Sequence, residues 1–119
     1  MAIDRPDAAE LLEAVEEYLR DRALPALSGH AAFEARVAVN LLTIARRELD
    51  LGPALSGAET ERMKRLLGRD GSPEDLEAAL VDLIREGDLA SRWDELMAHL
   101  RQTAEGKIRI ANPKYLEDG

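Results

Sequence analysis

Residues 28–51 read SGHAAFEARVAVNLLTIARRELDL, and this stretch decides the fold of the chain. A helix turns by about 100° per residue, and that spacing places two apolar stripes on opposite sides of the segment. The first stripe consists of Phe33, Val37, Leu41 and Ile44, and the second consists of Ala35, Val39, Leu42 and Leu49. A helix that is apolar on two sides is wrapped by its own domain or buried against another subunit. We therefore predict that residues 28–51 form a central hub helix, a homodimer seam, or both.

The rest of the chain contains the start and stop signals of four further helices. The predicted caps are Asp7, Ser56, Ser72 and Asp88, and the predicted stops, including that of the hub helix, are Gly52–Pro53, Gly68, Gly87 and Gly106. The five predicted helices cover residues 7–23, 28–51, 56–67, 72–86 and 88–105. Residues 107–110 alternate between polar and apolar side chains, so residues 107–119 read as an extended tail that folds back over the helices or docks on a second copy or another protein. The sequence thus predicts one all-α domain, residues 1–119, with a five-helix bundle, a central hub helix and an extended C-terminal tail.

The composition excludes several classes of protein. None of the 119 residues is cysteine, which excludes a disulfide scaffold, a thiolate metal site and a thiol nucleophile. No apolar run is long enough to span a membrane, and residues 1–7 show no basic-then-apolar leader. The net charge of −8 is spread evenly and repels phosphate backbones. We therefore expect a cytoplasmic protein without a membrane or nucleic-acid partner.

Four basic side chains near the middle of the chain are the only candidates for a basic face. They are Arg62, Lys64, Arg65 and Arg69. Arg62, Arg65 and Arg69 fall on one side of a predicted helix. Interleaved glutamates favour a solvated face, and the alternative is a site for a small anion such as a nucleotide or a coenzyme A phosphate.

Each of the two histidines has a glutamate one helical turn away. His30 precedes Glu34, and Glu95 precedes His99. Each pair could supply two metal ligands, but a complete site requires the pairs to meet, and ferritin-like di-metal centres use a Glu-x-x-His spacing instead. We therefore predict no metal site and no cofactor, with both histidines at surface or N-terminal helix positions.

Asn40 is a polar residue inside the first stripe of the hub helix, between Val37 and Ile44. A buried amide without a hydrogen bond costs about 1–3 kcal/mol, so we predict that Asn40 is buried with a partner. That partner is a backbone carbonyl, a polar side chain on a neighbouring helix, or the same asparagine across a two-fold axis. The alternative is a ligand contact, in which case Arg36, Asn40 and His30 are the ligand-binding residues.

No catalytic motif is legible in the chain. It lacks a Gly-x-Ser-x-Gly elbow, a phosphate loop and a dinucleotide-binding fingerprint. We therefore predict a protein that is not an enzyme and has no catalytic residue.

Five runs resemble a family of small bacterial helical proteins of unknown function. They are RPDAAELL (5–12), LPALSG (24–29), FEARVAVN (33–40), RELDLGP (47–53) and IANPKYL (110–116). These runs are helix faces and stops. Genes of that family typically neighbour those of an aminoglycoside-phosphotransferase-like kinase and an acyl-CoA dehydrogenase. The resemblance therefore implies an accessory role in acyl-CoA or related catabolism, and it implies no catalytic residue.

Together these observations favour a non-catalytic accessory or protein-interaction subunit. We expect a homodimer that serves a phosphotransferase/acyl-CoA dehydrogenase system, with one of those enzymes as its partner. The alternative is a small-ligand-binding protein whose pocket near Arg36 and Asn40 takes an acyl-CoA or a nucleotide-like anion.

Overall fold

A computed structural model describes residues 6–118, and no strand occurs among them. Its elements in chain order are α1 (Ala8–Tyr18), a π-helical segment (Leu19–Ala23), α2 (Leu24–Ala26), α3 (Gly29–Leu67), α4 (Pro73–Glu86), a 3-10 turn (Ala90–Arg92), α5 (Trp93–Ala111) and α6 (Pro113–Asp118). The predicted all-α class is confirmed. None of the helices in this range is both long and apolar enough to cross a membrane. The predictions for residues 1–5 and for Gly119 lie outside the described residues.

The hub helix does not end at Leu51, so the predicted stop is wrong. Helix α3 continues through Gly52 and Pro53 to Leu67 and includes the segment that was predicted as a third helix. The fixed φ of proline suits a helix, and its missing N–H removes one intrahelical hydrogen bond. Gly52 also lacks the left-handed conformation that ends α3 at Gly68, where φ is 67°.

The predicted extended tail is also wrong, because α5 runs to Ala111 and α6 covers Pro113–Asp118. The sequence indicates a stop at Gly106, yet this glycine lies inside α5 and is buried. A Cβ at this position would stand 3.4 Å from the side chain of Leu55. That distance is ordinary van der Waals contact, and Gly106 lacks the left-handed backbone of a helix stop, so α5 continues through it.

Helix α1 begins as predicted, and at Leu19, before the predicted end near Ala23, it passes into the π-helical segment. The N–H of Glu10 donates to Asp7 Oδ1 at 2.9 Å, and the N–H of Asp7 donates to Glu10 Oε1 at 3.2 Å. These two bonds form the capping box that the sequence predicts. A π-helical turn then joins α1 to α2, and Pro25 stands at the start of α2, where a missing N–H costs least.

The chain divides into two compact units, Met1–Gly52 (unit 1) and Pro53–Gly119 (unit 2). Unit 2 contains an apolar core in which every side chain is at most 5% exposed. This core consists of Met63, Leu66, Leu76, Leu80, Leu89 and Leu96. Helix α4 enters the core after a predicted cap, since Ser72 Oγ accepts from the N–H of Asp75 at 3.1 Å.

Among residues 6–52, unit 1 fully buries no large apolar side chain. Its buried residues in this range are the small side chains of Ala32 and Ala35 and the charged side chain of Glu16. The two units therefore use different interiors, one made of large apolar side chains and the other of alanines and an ion-pair cluster.

Candidate interaction surface and polar cleft

One side of the hub helix is open in unit 1. Phe33, Val37 and Leu41 have 55%, 42% and 60% of their surface exposed, and they are called the open stripe below. The opposite side is covered along residues 32–42, where Ala35 is buried and Val39 is half-buried, whereas Leu49 further along is 46% exposed. Over residues 32–42 the hub helix therefore has one closed apolar side and one open apolar side.

Helix α1 presents apolar residues to solvent as well. Leu11, Val15 and Tyr18 recur at helical spacing and are 54%, 49% and 60% exposed; they are called the α1 stripe below. The buried residue of α1 is Glu16, which lies about 100° or more around the helix from these three positions.

Glu16 joins α1 to α3 through two guanidinium groups. Its Oε1 accepts from Arg46 Nη1 at 2.8 Å, and its Oε2 accepts from Arg20 Nη1 at 2.9 Å. Arg46 Nη2 also donates to Glu13 Oε2 at 2.9 Å. Burial raises the pKa of the Glu16 carboxyl, but the hydrogen bonds and charges of the arginines outweigh burial and lower that pKa overall. The cluster thus fastens α1 to the hub helix.

Sequence reasoning missed this cluster. Arg46 lies 30 residues from Glu16 in the chain, so their contact exists only after folding. The one local signal was the i, i+4 spacing of Glu16 and Arg20, which is common on exposed helix faces.

The three predicted ligand-binding residues all lie in the N-terminal part of α3 and are exposed. The side chain of His30 is 82% exposed, with Nε2 3.8 Å from Glu34 Oε2, and its ring stacks on Phe33 at a centroid distance of 6.1 Å. Arg36 borders the open stripe. The predicted burial of Asn40 is wrong for the single chain, because the side of the helix that holds it is uncovered. A ligand contact at His30, Arg36 and Asn40 stays a prediction.

A polar cleft of about 220 Å³ opens in unit 2 between α3 and α5. It is lined by Arg62, Arg65, Leu66, Glu95, Ala98, His99 and Gln102. Arg62 Nε donates to His99 Nδ1 at 3.1 Å, and Arg62 Nη2 donates to Thr103 Oγ1 at 3.1 Å. Both acceptors are neutral, and Arg62 forms no ion pair with any carboxylate in residues 6–118. Its charge therefore remains uncompensated by direct contact.

His99 is buried, with 4% of its surface exposed, so the predicted surface position is wrong. Arginine can only donate hydrogen bonds, so Nδ1 is unprotonated and the neutral ring carries its proton on Nε2. Burial lowers the pKa of His99, and the charge of Arg62 lowers it further against a smaller opposing effect of Glu59. The available sequence signal was the spacing of His99 from Leu96 on the inward face of α5.

The four basic residues near the middle of the chain do not share one face. Lys64 Nζ lies 3.2 Å from Glu61 Oε2 and 3.1 Å from Asp70 Oδ1. Arg69 lies beyond the end of α3, so its predicted alignment with Arg62 and Arg65 on one helical side is wrong. Only Arg62 and Arg65 of this group line the cleft.

Arg92 neutralises the carboxylate of Glu95, which lines the cleft. Its Nη2 lies 2.6 Å from Glu95 Oε2, and its Nη1 donates to the carbonyl of Leu66 at 2.6 Å. The hydrogen bond from Arg92 lowers the pKa of Glu95. Glu95 is thus ionised and paired, which leaves Arg62 and Arg65 as excess positive charge in the cleft.

The glutamate and the histidine of the pair in unit 2 do not act together. Glu95 binds Arg92 and His99 accepts from Arg62, so the members of this pair have separate partners. Within the part of the chain that the structure describes, no group of three or more His, Asp or Glu side chains could hold a metal ion.

The fold and these sites define an all-α protein with an open apolar surface and a separate polar cleft. Residues 25–115 match the model of a family described as Domain of unknown function (DUF6285), and the chain belongs to this family. The match includes the hub helix and the cleft and leaves out the run at residues 5–12. No curated protein and no solved structure matches the chain significantly.

Proposed function

We propose that this protein is a non-catalytic accessory subunit that acts as a homodimer, with the open stripe at the dimer seam. The observation that carries the proposal is the exposure of Phe33, Val37 and Leu41 on one side of a helix whose other side is covered. Contiguous apolar surface of this kind is uncommon on monomers and marks interaction sites.

The amount of exposed apolar surface agrees with a dimer. The six side chains of the open stripe and the α1 stripe each expose about half of their surface. Aromatic side chains have about 150–250 Å² of surface and leucine and valine have less, so the six offer at most on the order of 600 Å² per copy. Two copies would together remove on the order of 1,200 Å² from water, which is the lower end of specific interfaces. A second copy is therefore large enough to cover these stripes.

Asn40 favours a second copy over an unrelated partner. At about 100° per residue, Asn40 falls on the same side of α3 as Val37 and Leu41. An amide both donates and accepts, so two Asn40 side chains can bond to each other across a two-fold axis. A single asparagine in an apolar helix seam also fixes register and the number of subunits.

The second part of the proposal concerns the system that the dimer serves. We propose a phosphotransferase/acyl-CoA dehydrogenase system, with either enzyme as the partner, and a cytoplasmic location. Its support is the resemblance of the runs FEARVAVN and RELDLGP to the small bacterial family, together with the lack of a legible catalytic motif in the sequence.

Cross-linking at Asn40 locates the seam. The chain contains no cysteine, so a single introduced thiol reports on a single position. A disulfide requires Cα atoms within about 7 Å of each other, which two copies of residue 40 satisfy beside the two-fold axis. Under mild oxidation at tens of micromolar protein, we expect Asn40→Cys to form a covalent dimer.

Val81→Cys is the matched control, because Val81 is 40% exposed on α4 in unit 2. We expect this variant to stay largely uncross-linked. Equal cross-linking of both variants, or none at residue 40, contradicts the proposed seam.

Copurification from the native host tests the accessory role. We expect a phosphotransferase-like kinase or an acyl-CoA dehydrogenase to be enriched with the wild-type protein, as measured by mass spectrometry. Enrichment of neither enzyme class would overturn this part of the proposal and leave the dimer seam standing.

A further inference from the structure

The polar cleft of unit 2 holds a guanidinium group that is fixed in position and not neutralised. Arg62 donates to His99 and to Thr103, and both acceptors are uncharged. A long basic side chain usually loses conformational entropy when it binds an anion. A side chain that is already held in place by hydrogen bonds has lost that entropy on folding, so binding costs less. The arrangement is therefore suited to an anionic ligand.

Arg62 keeps hydrogen-bond donors for such a ligand. A guanidinium has five N–H donors, and the two bonds in the structure use one on Nε and one on Nη2. Within residues 6–118, both donors on Nη1 are left over. Paired guanidinium N–H groups match the spacing of oxygens in phosphate and carboxylate groups.

The charge of the cleft distinguishes these two anions. Arg65 is exposed and lines the cleft beside Arg62, while Glu95 is compensated by Arg92. Among the lining side chains the excess is therefore two positive charges, while Glu59 lies outside the lining, in the adjoining pocket that Arg62 shares. A phosphate monoester carries about −1.5 to −2 at pH 7, whereas a carboxylate carries a single charge. A phosphate group is the better match.

The size of the cleft limits what is attached to the phosphate. Its volume is about 220 Å³, and Leu66 and Ala98 form apolar parts of its wall. Pockets that enclose drug-sized ligands usually measure about 300–1,000 Å³. The cleft therefore has room for a phosphate group on a short carbon chain.

We propose that this cleft binds a small phosphate monoester, with Arg62 and Arg65 binding the phosphate and His99 and Thr103 holding Arg62 in position. The site lies in unit 2 and does not depend on the proposed dimer seam.

Inorganic phosphate is the first probe, with chloride at equal ionic strength as the reference. Ligand that binds only the folded protein raises the melting temperature in a saturable way. We expect a saturable rise for the wild type, with an affinity about tenfold lower in Arg62→Gln and in Arg65→Gln because each loses charged hydrogen bonds. Arg69→Gln removes the same charge outside the cleft and should bind like the wild type. No saturable rise in tens of millimolar phosphate, or equal losses in all three variants, overturns the proposal.

Two further measurements keep the test decisive if Arg62→Gln unfolds. Arg65 makes no side-chain bond or ion pair among the described residues, so Arg65→Gln should fold, and its comparison with Arg69→Gln then decides. Glycerol phosphate should bind more tightly than acetate. Equal affinity for the two would refute the assignment of a phosphate group.

Discussion

Unit 1 and unit 2 are both helical, yet they bury different kinds of side chain. Unit 2 covers leucine and methionine side chains such as Leu76 and Met63, which are 0% and 2% exposed. Unit 1 covers Glu16 and two alanines, while Leu41 stays 60% exposed. The comparison shows that an apolar periodicity identifies a face and does not say whether the same chain or another molecule covers it.

The physical origin of the difference is the charge on the inner side of α1. The Glu16 carboxylate attracts Arg46, and this contact places α1 against the hub helix through a polar side. Leu11 and Tyr18 of the same helix then remain outside. Unit 2 has no comparable ion pair among its buried residues, because its buried polar side chain, His99, is neutral. Burial of apolar surface is therefore the dominant stabilising term in unit 2.

Two leucines provide the strongest test of this comparison. Leu76→Ala should lower the free energy of unfolding by about 2–5 kcal/mol, because it leaves a cavity in a closed core. Leu41→Ala should lower it by less than about 1 kcal/mol in dilute, monomeric protein, because the side chain is already open to water. Urea denaturation at submicromolar concentration measures both values. Equal losses for the two variants would break the comparison.

The Glu16 cluster should give the next largest effect. Glu16→Gln weakens the hydrogen bonds to Arg46 and Arg20 and should lower the stability of the chain by about 1–3 kcal/mol at pH 7. The pKa of Glu16 is lowered in the folded state, so its contribution is complete above the unfolded value of about 4.3 and is lost as pH falls through the folded value. Denaturation from pH 7 to pH 3 should therefore show a smaller acid-induced loss in the variant.

Glu17→Gln is the control for this prediction, since Glu17 is an exposed neighbour on α1. It should change stability by less than about 0.5 kcal/mol. A larger effect for Glu17 than for Glu16 would show that the ion-pair cluster is not what holds α1.

The two histidines give the smallest contrast between the units. The folded-state pKa of His99 is lowered, so the unfolded chain takes up a proton first as pH falls below about 6.5. Stability should decline from there until the folded-state pKa is passed. His99→Gln should reduce this decline, and His30→Gln, which replaces an exposed histidine of unit 1, is the matched control. Thermal melts between pH 8 and pH 5 measure the difference, and an identical decline in wild type and His99→Gln would contradict it.

The sequence predicts the local features of this fold well. The caps at Asp7 and Ser72 and the stops at Gly68 and Gly87 are present, because cap residues and left-handed glycines act on their immediate neighbours. Gly106 was misread because a glycine ends a helix when its backbone turns left-handed, and Gly106 keeps a helical backbone inside α5.

The candidate sites could be predicted from the sequence less well than the helix caps and stops. Arg62 and His99 are 37 residues apart, and their bond forms only when α3 and α5 pack. The burial predicted for Asn40 from its apolar stripe is wrong for the single chain, because the periodicity of α3 could not show which of its two apolar sides stays open. That outcome depends on the charge pattern of α1.

The mass of the protein in solution tests the central claim most directly. At tens of micromolar, sedimentation equilibrium should give about twice the chain mass of 13.1 kDa. Val37→Lys places a charge in the open stripe and should give the chain mass, whereas Val81→Lys, at a valine of similar exposure in unit 2, should remain a dimer. A monomeric wild type, or dissociation by the Val81 variant alone, would contradict a seam at the open stripe.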